Sequence, residues 1–286
     1  MSCGLWALGE QPERLTHSSQ PTAHSPQPTA MSYFRFRLYD VHQDRCSHRV
    51  GTDAMLLGAW AGIGCKKILD VGTGTGVLAL MLAQRAREAM IDAIDIDLQA
   101  VAQARENVAA SPWPDRIRIH GCALQDWTGT GYDLIICNPP YYTETTRALG
   151  ASRHQARHTD SLQPEELLVH GLRLLGPRGR LAVVLPLDQG QDLVQSAAER
   201  GFHLQRCCQV RHSPAHPPRR LLLELGREPA AQPENAEHMS AEQMSDLAIR
   251  DGGGGYSPAY RALTEIYHSL APPPEFRRAR AADFQR

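Results

Sequence analysis

The stretch ILDVGTGTGVLAL, residues 68–80, constrains the fold more than any other part of the chain. It places Gly72, Gly74 and Gly76 between an apolar run and the start of a helical pattern, where glycine permits a tight turn and close approach of a ligand. The spacing is GxGxG, unlike the GxGxxG of dinucleotide enzymes, and no Gly-Lys-Ser/Thr follows as in a phosphate loop. The loop therefore predicts a strand–loop–helix unit whose ligand carries no pyrophosphate.

Apolar strands alternate with helical periods along most of the chain, which is typical of a doubly wound α/β sheet. The predicted strands cover residues 66–71, 91–96, 116–121, 132–137 and 179–186. The predicted helices cover 76–88, 98–108, 164–175, 189–200 and 257–270, and the second should bury Leu98, Val101, Ala104 and Val108 on one face. Segments 203–211 and 219–225 predict an antiparallel pair, and 246–251 an edge strand, so the sheet is mostly parallel with antiparallel terminal strands.

The two ends of the chain differ in composition from the segment between them. Residues 1–30 are rich in Ser, Pro, Gln and Thr, which predicts a tail that is disordered or not translated. Residues 31–270 form the predicted domain, with a hairpin near residue 33, and residues 271–286 a basic tail. No long apolar stretch and no secretory signal are present, which predicts a cytoplasmic protein without a membrane segment.

Composition argues against metal chemistry and against general attraction to nucleic acid. The 7 cysteines contain no CxxC pair, and the 13 histidines contain no HExxH motif, so no metal site is predicted. The formal net charge is −1, so any contact with a polyanion must use local basic patches.

Carboxylates flank the glycine loop on both sides. Asp70 precedes it and would attract a cationic ligand, and Asp95 ends the next strand, where an acidic group commonly accepts hydrogen bonds from ribose hydroxyls. Asp97 is a second candidate for that role. This combination resembles the class I S-adenosylmethionine-dependent methyltransferases, which have a Rossmann-like fold. The resemblance implies S-adenosylmethionine as cofactor, bound by Asp70, Gly72, Thr73, Gly74, Gly76, Asp95 and Ile96.

The stretch DLIICNPPYY, residues 133–142, ends the fourth strand abruptly. Asn138 offers a side-chain oxygen, and Pro139 and Pro140 offer carbonyls without N–H donors, so together they can accept both hydrogens of a planar amino group. Tyr141, together with Tyr142, would stack on a base turned out of its own stack. The motif resembles the amino-methyltransferase signature and predicts methylation of a planar nitrogen, with residues 138–141 catalytic.

Four stretches, VHQDRCSHRVGTDAMLLGAWA, ILDVGTGTGVLALMLAQR, DLIICNPPYY and IRDGGGGYSPAYRALTEIYHSL, resemble in order and spacing the bacterial tRNA1(Val) adenine-37 N6-methyltransferases over about residues 33–270. The resemblance implies an adenine in a tRNA anticodon loop as substrate. We also expect a monomer that does not act on DNA. The resemblance also implies that Thr52 and Asp53 close over the methionine end of the cofactor. Ala123 stands where such enzymes carry an acidic residue for the cofactor's adenine, and Asp126 is the candidate substitute.

Two basic clusters could contact RNA phosphates around the site. One follows the NPPYY motif and comprises Arg147, Arg153, His154, Arg157 and His158, and the other lies near the amino end and comprises Arg35, Arg37, Arg45 and Arg49. The first is favoured because it directly follows the catalytic motif.

Other activities stay open on the motif alone. Methylation of a glutamine amide uses the same chemistry, but such enzymes usually carry a helical recognition domain before the catalytic one. Guanine N2 methylation usually ends its motif in Phe, and DNA methylation would call for a target-recognition domain. A non-catalytic RNA scaffold is disfavoured by the intact Asp70, Asn138 and Tyr141, and an NAD-linked oxidoreductase by the loop spacing.

Overall fold

A computed structural model describes residues 33–46, 49–140, 162–229 and 244–268. Its strands are β1 Tyr33–Arg35, β2 Asp40–His42, β3 Lys67–Val71, β4 Met90–Asp95, β5 Ile117–Gly121, β6 Tyr132–Cys137, β7 Leu175–Pro186, β8 His203–Arg211, β9 Pro218–Gly226 and β10 Met244–Ala248. Its helices are α1 Thr52–Trp60, α2 Val77–Arg85, α3 Leu98–Ala109, α4 Pro164–Leu174, α5 Leu187–Glu199 and α6 Pro258–Thr264, followed by a 3-10 turn Glu265–Tyr267.

The central sheet has eight strands in the order β10-β8-β9-β7-β6-β3-β4-β5. All neighbours among them pair in parallel except β9, which runs antiparallel to both β7 and β8. The carboxyl ends of β3, β4, β6, β7, β8 and β10 therefore share one edge with the amino end of β9. The predicted doubly wound α/β sheet with antiparallel terminal pairing is confirmed.

Helices cover both faces of the sheet because neighbouring strand residues point to opposite sides. In β3, Ile68 packs with α1, α2, α3 and α6, whereas Leu69 packs with α4 and α5. The strand therefore contributes side chains to an apolar layer on each face of the sheet. Among the described residues, no helix combines the length and apolar character needed to cross a bilayer.

The β1–β2 hairpin, at the start of the described chain, packs against the turn that ends it. Phe36 stacks on Tyr39 with ring centroids 4.6 Å apart and meets the edge of Tyr267 at 6.2 Å. The backbone N–H of Arg37 donates to the carbonyl of Tyr267 at 2.9 Å, and the Tyr267 hydroxyl donates toward the Met81 carbonyl at 3.1 Å. The hairpin, the last turn and α2 therefore form one packed unit.

Two details differ from the sequence expectation. Leu98, expected on the buried face of α3 with Val101, is 70% exposed because it is the first residue of the helix and lies at the carboxyl edge of the sheet, beside Gly121 at the end of β5. The closing helix begins at the predicted cap, since Ser257 Oγ accepts the Tyr260 N–H at 3.0 Å, but its α-helical part ends at Thr264.

Candidate active site

The glycine loop lies at the carboxyl edge between β3 and α2. Gly72, Gly74 and Gly76 all have left-handed backbone angles, with φ of 68°, 54° and 81°. A Cβ added at Gly72 or Gly74 would meet no heavy atom within 4 Å, whereas one at Gly76 would lie 3.4 Å from Ala104 Cβ. The first two glycines therefore border open space that a ligand can fill, and the third lets α3 pack close.

Asp70 lies beneath this loop and is 0% exposed. Its Oδ2 accepts hydrogen bonds from the Thr73 hydroxyl at 2.6 Å and the Ala79 N–H at 3.2 Å, while its Oδ1 has no hydrogen-bond partner. Burial raises the pKa of Asp70 to about 7, against the opposing effect of those two hydrogen bonds. One oxygen shapes the loop, and the other is an unused acceptor suited to a cationic group. The Thr73 hydroxyl is used within the loop, and contact of Thr73 with the ligand stays a prediction.

The two candidate ribose carboxylates have different local roles. Asp95 Oδ2 accepts the Gly74 N–H at 2.8 Å, which places this carboxylate directly against the glycine loop. Asp97 Oδ1 accepts the Gln99 N–H at 2.8 Å and caps α3. Ile96, between them, is 54% exposed, which leaves an apolar side chain beside the open space. The geometry favours Asp95 over Asp97 as the ligand-facing carboxylate.

Asn138 lies next to the glycine loop through the pairing of β6 with β3. Cys137 is opposite Val71 in the parallel register, so Asn138 follows at the same level as Gly72. Asn138 is half-buried, Pro139 buried and Pro140 exposed. The remaining predicted RNA-side residues lie outside the described part of the chain: Tyr141, Tyr142, Arg147, Arg153 and Arg157, with His154 and His158.

The start of α1 lies at the same edge. Thr52 and Asp53 open the helix, and Asp53 Oδ2 accepts from Arg220 Nε at 3.3 Å, at the amino end of β9. Asp126 lies in the turn after β5 with an exposed side chain, and its backbone N–H donates to the Ala123 carbonyl at 3.1 Å. Contact of these residues with the cofactor stays a prediction.

Two buried amides on α3, Gln103 and Asn107, were not predicted from the sequence. Their hydrogen bonds connect the segment after β2 to the site. Each is 1% exposed on α3. Asn107 Nδ2 donates to the Thr75 carbonyl at 2.9 Å and the His42 carbonyl at 2.8 Å, and its Oδ1 accepts the His42 N–H at 2.8 Å. Gln103 Oε1 accepts the Arg45 N–H at 3.3 Å. The signal was present in the sequence, since both amides fall on the apolar stripe of α3.

Burial, followed by the carboxylates of Asp95 and Asp97, raises the pKa of the Cys46 thiol to about 11. Through Asn107, α3 holds both the His42 backbone and the Thr75 carbonyl of the glycine loop, so it fixes the two segments together.

We expect Asn107→Ala to weaken binding of S-adenosylmethionine, the cofactor that the sequence implies, by about 10-fold. The variant leaves the buried Thr75 carbonyl and the part-buried His42 carbonyl without their donor, a cost of about 2 kcal/mol in folding free energy. Glu106→Ala is the matched control, because this neighbour on α3 forms only an exposed ion pair with Arg45. Isothermal titration and thermal melting measure both effects, and equal behaviour of the two variants would contradict the positioning role.

Asp70 should make folding stability depend on pH. Its folded pKa of about 7 exceeds the unfolded value of about 3.9, so the folded chain retains a proton that the unfolded chain has released. The contribution is therefore complete below about pH 4 and is lost as the pH rises through about 7. Asp70→Asn should remove this decline. Urea unfolding of both proteins between about pH 5 and about pH 8 measures it, and parallel profiles would contradict the buried-acid assignment.

The edge thus gathers an open glycine cradle, two carboxylates and an amide at the end of β6. Its acceptors suit a ligand with a cationic group and paired hydroxyls, next to a site for an amino group. Within the described ranges, no cluster of three His, Cys, Asp or Glu side chains could hold a metal ion.

Comparison with known proteins agrees with this geometry. The family model described as "Methyltransferase small domain" matches residues 51–194. The tRNA1(Val) (adenine(37)-N6)-methyltransferase of Tolumonas auensis is 43% identical over 237 residues, covering 82% of this chain and 96% of the relative. The protein of the same name from Parabacteroides distasonis is 44% identical over 217 residues, covering 74% and 91%.

Among solved structures, a predicted O-methyltransferase from Agrobacterium tumefaciens aligns with a TM-score of 0.54 at 16% identity, covering 75% of this chain and 96% of that one. At this identity the likeness concerns the fold, a class I methyltransferase sheet.

Proposed function

The chain belongs to the tRNA1(Val) (adenine(37)-N6)-methyltransferase family, and from that membership we propose that it methylates N6 of adenine 37 in the anticodon loop of tRNA1(Val). The observation that carries the proposal is the position of Asn138, an amide acceptor at the end of β6 directly beside Gly72 of the cofactor loop. An amino group held there lies next to the bound methyl donor.

The residues at the edge fit S-adenosylmethionine, which supplies the methyl group as an electrophilic sulfonium. Gly72 and Gly74 border the open space that its methionine part and adenosine would fill. Asp95, already against the loop, would accept hydrogen bonds from the ribose hydroxyls, and the exposed Ile96 would pack on the adenine ring. Asp70, whose buried Oδ1 has no hydrogen-bond partner, would attract the cationic end together with Thr52 and Asp53, and Asp126 would lie on the adenine side.

Asn138 and the proline carbonyls act on the substrate nitrogen. The lone pair of an adenine amino group is delocalised into the ring, so the nitrogen is a poor nucleophile. Acceptors that bind both amino hydrogens hold them in a fixed bent geometry. This geometry favours a lone pair localised on the nitrogen and directs it at the methyl carbon. With S-adenosylmethionine bound, its sulfur would leave as the methyl carbon bonds to the nitrogen, and the methylated nitrogen would lose its proton to solvent, so the residues at this edge need supply no strong general base.

The remaining features of the proposal concern the RNA and the cell. Tyr141 and Tyr142 stack on the flipped adenine, and Arg147, Arg153 and Arg157 contact the phosphates beside it. The enzyme acts as a cytoplasmic monomer on tRNA and not on DNA.

Purified protein with labelled S-adenosylmethionine and an unmodified tRNA1(Val) transcript tests the proposal. We expect label in N6-methyladenosine after nuclease digestion and mass spectrometry, and none with a transcript in which adenine 37 is guanine. The second candidate, methylation of a glutamine amide, uses the same acceptor geometry at Asn138. Transfer to a translation factor with none to the transcript would favour that rival and overturn the tRNA assignment.

A further inference from the structure

The sheet topology brings a second set of cationic side chains to the edge that carries Asn138. Strands β8 and β10 run parallel to β6 and β7, and β9 begins at this edge, with Arg220 opposite Pro186. Residues 211–220 and 249–256 therefore emerge beside the active site. We call Arg211, His212, His216, Arg219, Arg250 and Tyr256 the distal basic edge.

Two arginines of this edge are available to an anion. Arg211 is paired with Asp246 at 2.8 Å, and the neighbouring Arg220 with Asp53 at 3.3 Å. Arg219 is exposed, and within the described residues neither Arg219 nor Arg250 forms an ion pair. The local charge is therefore positive although the chain as a whole carries −1.

A rigid turn holds Arg250 against an aromatic ring. Asp251 Oδ1 accepts the N–H groups of Gly253 at 2.8 Å and Gly255 at 3.1 Å, which closes the DGGGGY turn. The Arg250 guanidinium carbon lies 4.1 Å from the centroid of the Tyr256 ring, and Tyr256 stacks on Tyr260 at 4.8 Å. Tyr256 remains 39% exposed.

A guanidinium held on an aromatic ring suits an RNA backbone, because the ring fixes the position of the cation that contacts a phosphate. The turn holds both groups in place before binding, so little conformational entropy is lost when RNA arrives. An acidic peptide would use the charge, but only an RNA bound at Asn138 would extend along the same edge of the sheet to reach it.

We propose that the distal basic edge binds the anticodon arm of the substrate tRNA, with Arg219 and Arg250 on phosphates and Tyr256 holding the Arg250 guanidinium in place. This inference rests on the proposed function. Strand spacings of about 4.8 Å, four from β6 to β10 and two from β6 to β9, place Arg250 about 19 Å and Arg219 about 10 Å from Asn138. The contacts therefore involve nucleotides other than the methylated one.

The test compares Arg219→Ala, Arg250→Ala and Tyr256→Leu with wild type in methyl transfer to the tRNA1(Val) transcript. Each arginine variant should raise KM for tRNA about 10-fold and lower the slope of log affinity against log salt by about 1. Tyr256→Leu should raise KM with an unchanged salt slope. Turnover at saturating tRNA and affinity for S-adenosylmethionine should stay at wild-type values.

The matched control is Arg87→Ala, which removes an exposed arginine between α2 and β4, at the opposite edge of the sheet. It should leave KM and the salt slope unchanged. Arg219 keeps the inference testable if Arg250→Ala disturbs its turn, since the Arg219 side chain is exposed and holds no loop in place.

Equal KM and salt slope in the Arg219 variant, Arg87→Ala and wild type would overturn the inference. If the wild-type protein methylates the transcript only when adenine 37 is present, the proposed function stands even though the inference about the distal basic edge is wrong. If the wild-type protein does not methylate tRNA, the proposed function fails instead. Fluorescence anisotropy with labelled tRNA then tests the edge by binding alone, with weaker binding by Arg219→Ala supporting it and equal binding refuting it.

Discussion

Asn138→Ala is expected to lower turnover by about 100- to 1,000-fold and to leave S-adenosylmethionine affinity within about twofold of wild type. The side-chain oxygen holds the substrate amino group only while the nitrogen attacks. Removing it therefore raises the free energy of the transition state. Asn138 follows Cys137 at the end of β6 and is outside the loop that cradles the cofactor. Binding of the cofactor should therefore be preserved.

Single-turnover transfer of labelled methyl to the tRNA1(Val) transcript measures the first effect, and isothermal titration with S-adenosylmethionine the second. Asn138→Asp is the conservative comparison, because it keeps an oxygen acceptor at the same place and should retain more activity than alanine. Wild-type turnover in Asn138→Ala would remove the catalytic role assigned to this motif.

Asp95→Ala should raise the dissociation constant of S-adenosylmethionine about 100-fold. The carboxylate offers charged acceptors to two ribose hydroxyls, and each such hydrogen bond contributes about 1.5–3 kcal/mol. Loss of the bond from Asp95 to the Gly74 N–H would also loosen the cradle. Turnover at saturating cofactor should fall much less than in Asn138→Ala, because Asp95 does not contact the reacting nitrogen.

Asp97→Ala supplies the matched control for that experiment. It removes a carboxylate two positions away whose side chain caps α3, so it should cost about 1 kcal/mol of folding stability with little change in cofactor affinity. Titration calorimetry and thermal melting separate the two effects. If Asp97→Ala weakened cofactor binding as much as Asp95→Ala, the distinction drawn between the two aspartates would be wrong.

The alternation of strands and helices could be predicted because each element carries its own period and is bounded by glycine, proline or a polar turn. The glycine loop and the end of β6 were predictable for the same reason, since both are local in sequence. The prediction that Leu98 is buried was wrong, because a helical period does not show where the helix reaches the edge of the sheet.

Long-range partners could not be read from local patterns. Asp95 and Asp97 differ by two positions, and only the fold shows that one meets Gly74 while the other caps a helix. The bonds of Asn107 to His42 and Thr75 join residues far apart in the chain, as does the pairing of Asp53 with Arg220. The DGGGGY turn lies at the edge that carries Asn138 because β10 runs parallel to β8. The sequence did not reveal that direction.

The contact between the amino-terminal hairpin and Tyr267 has a consequence for synthesis on the ribosome. Phe36 and Arg37 find their partner only after more than two hundred further residues have been made. Until then the hairpin lacks that support, although Asn107 already links its second strand to the glycine loop. Full packing of the hairpin is therefore coupled to synthesis of the chain as far as Tyr267.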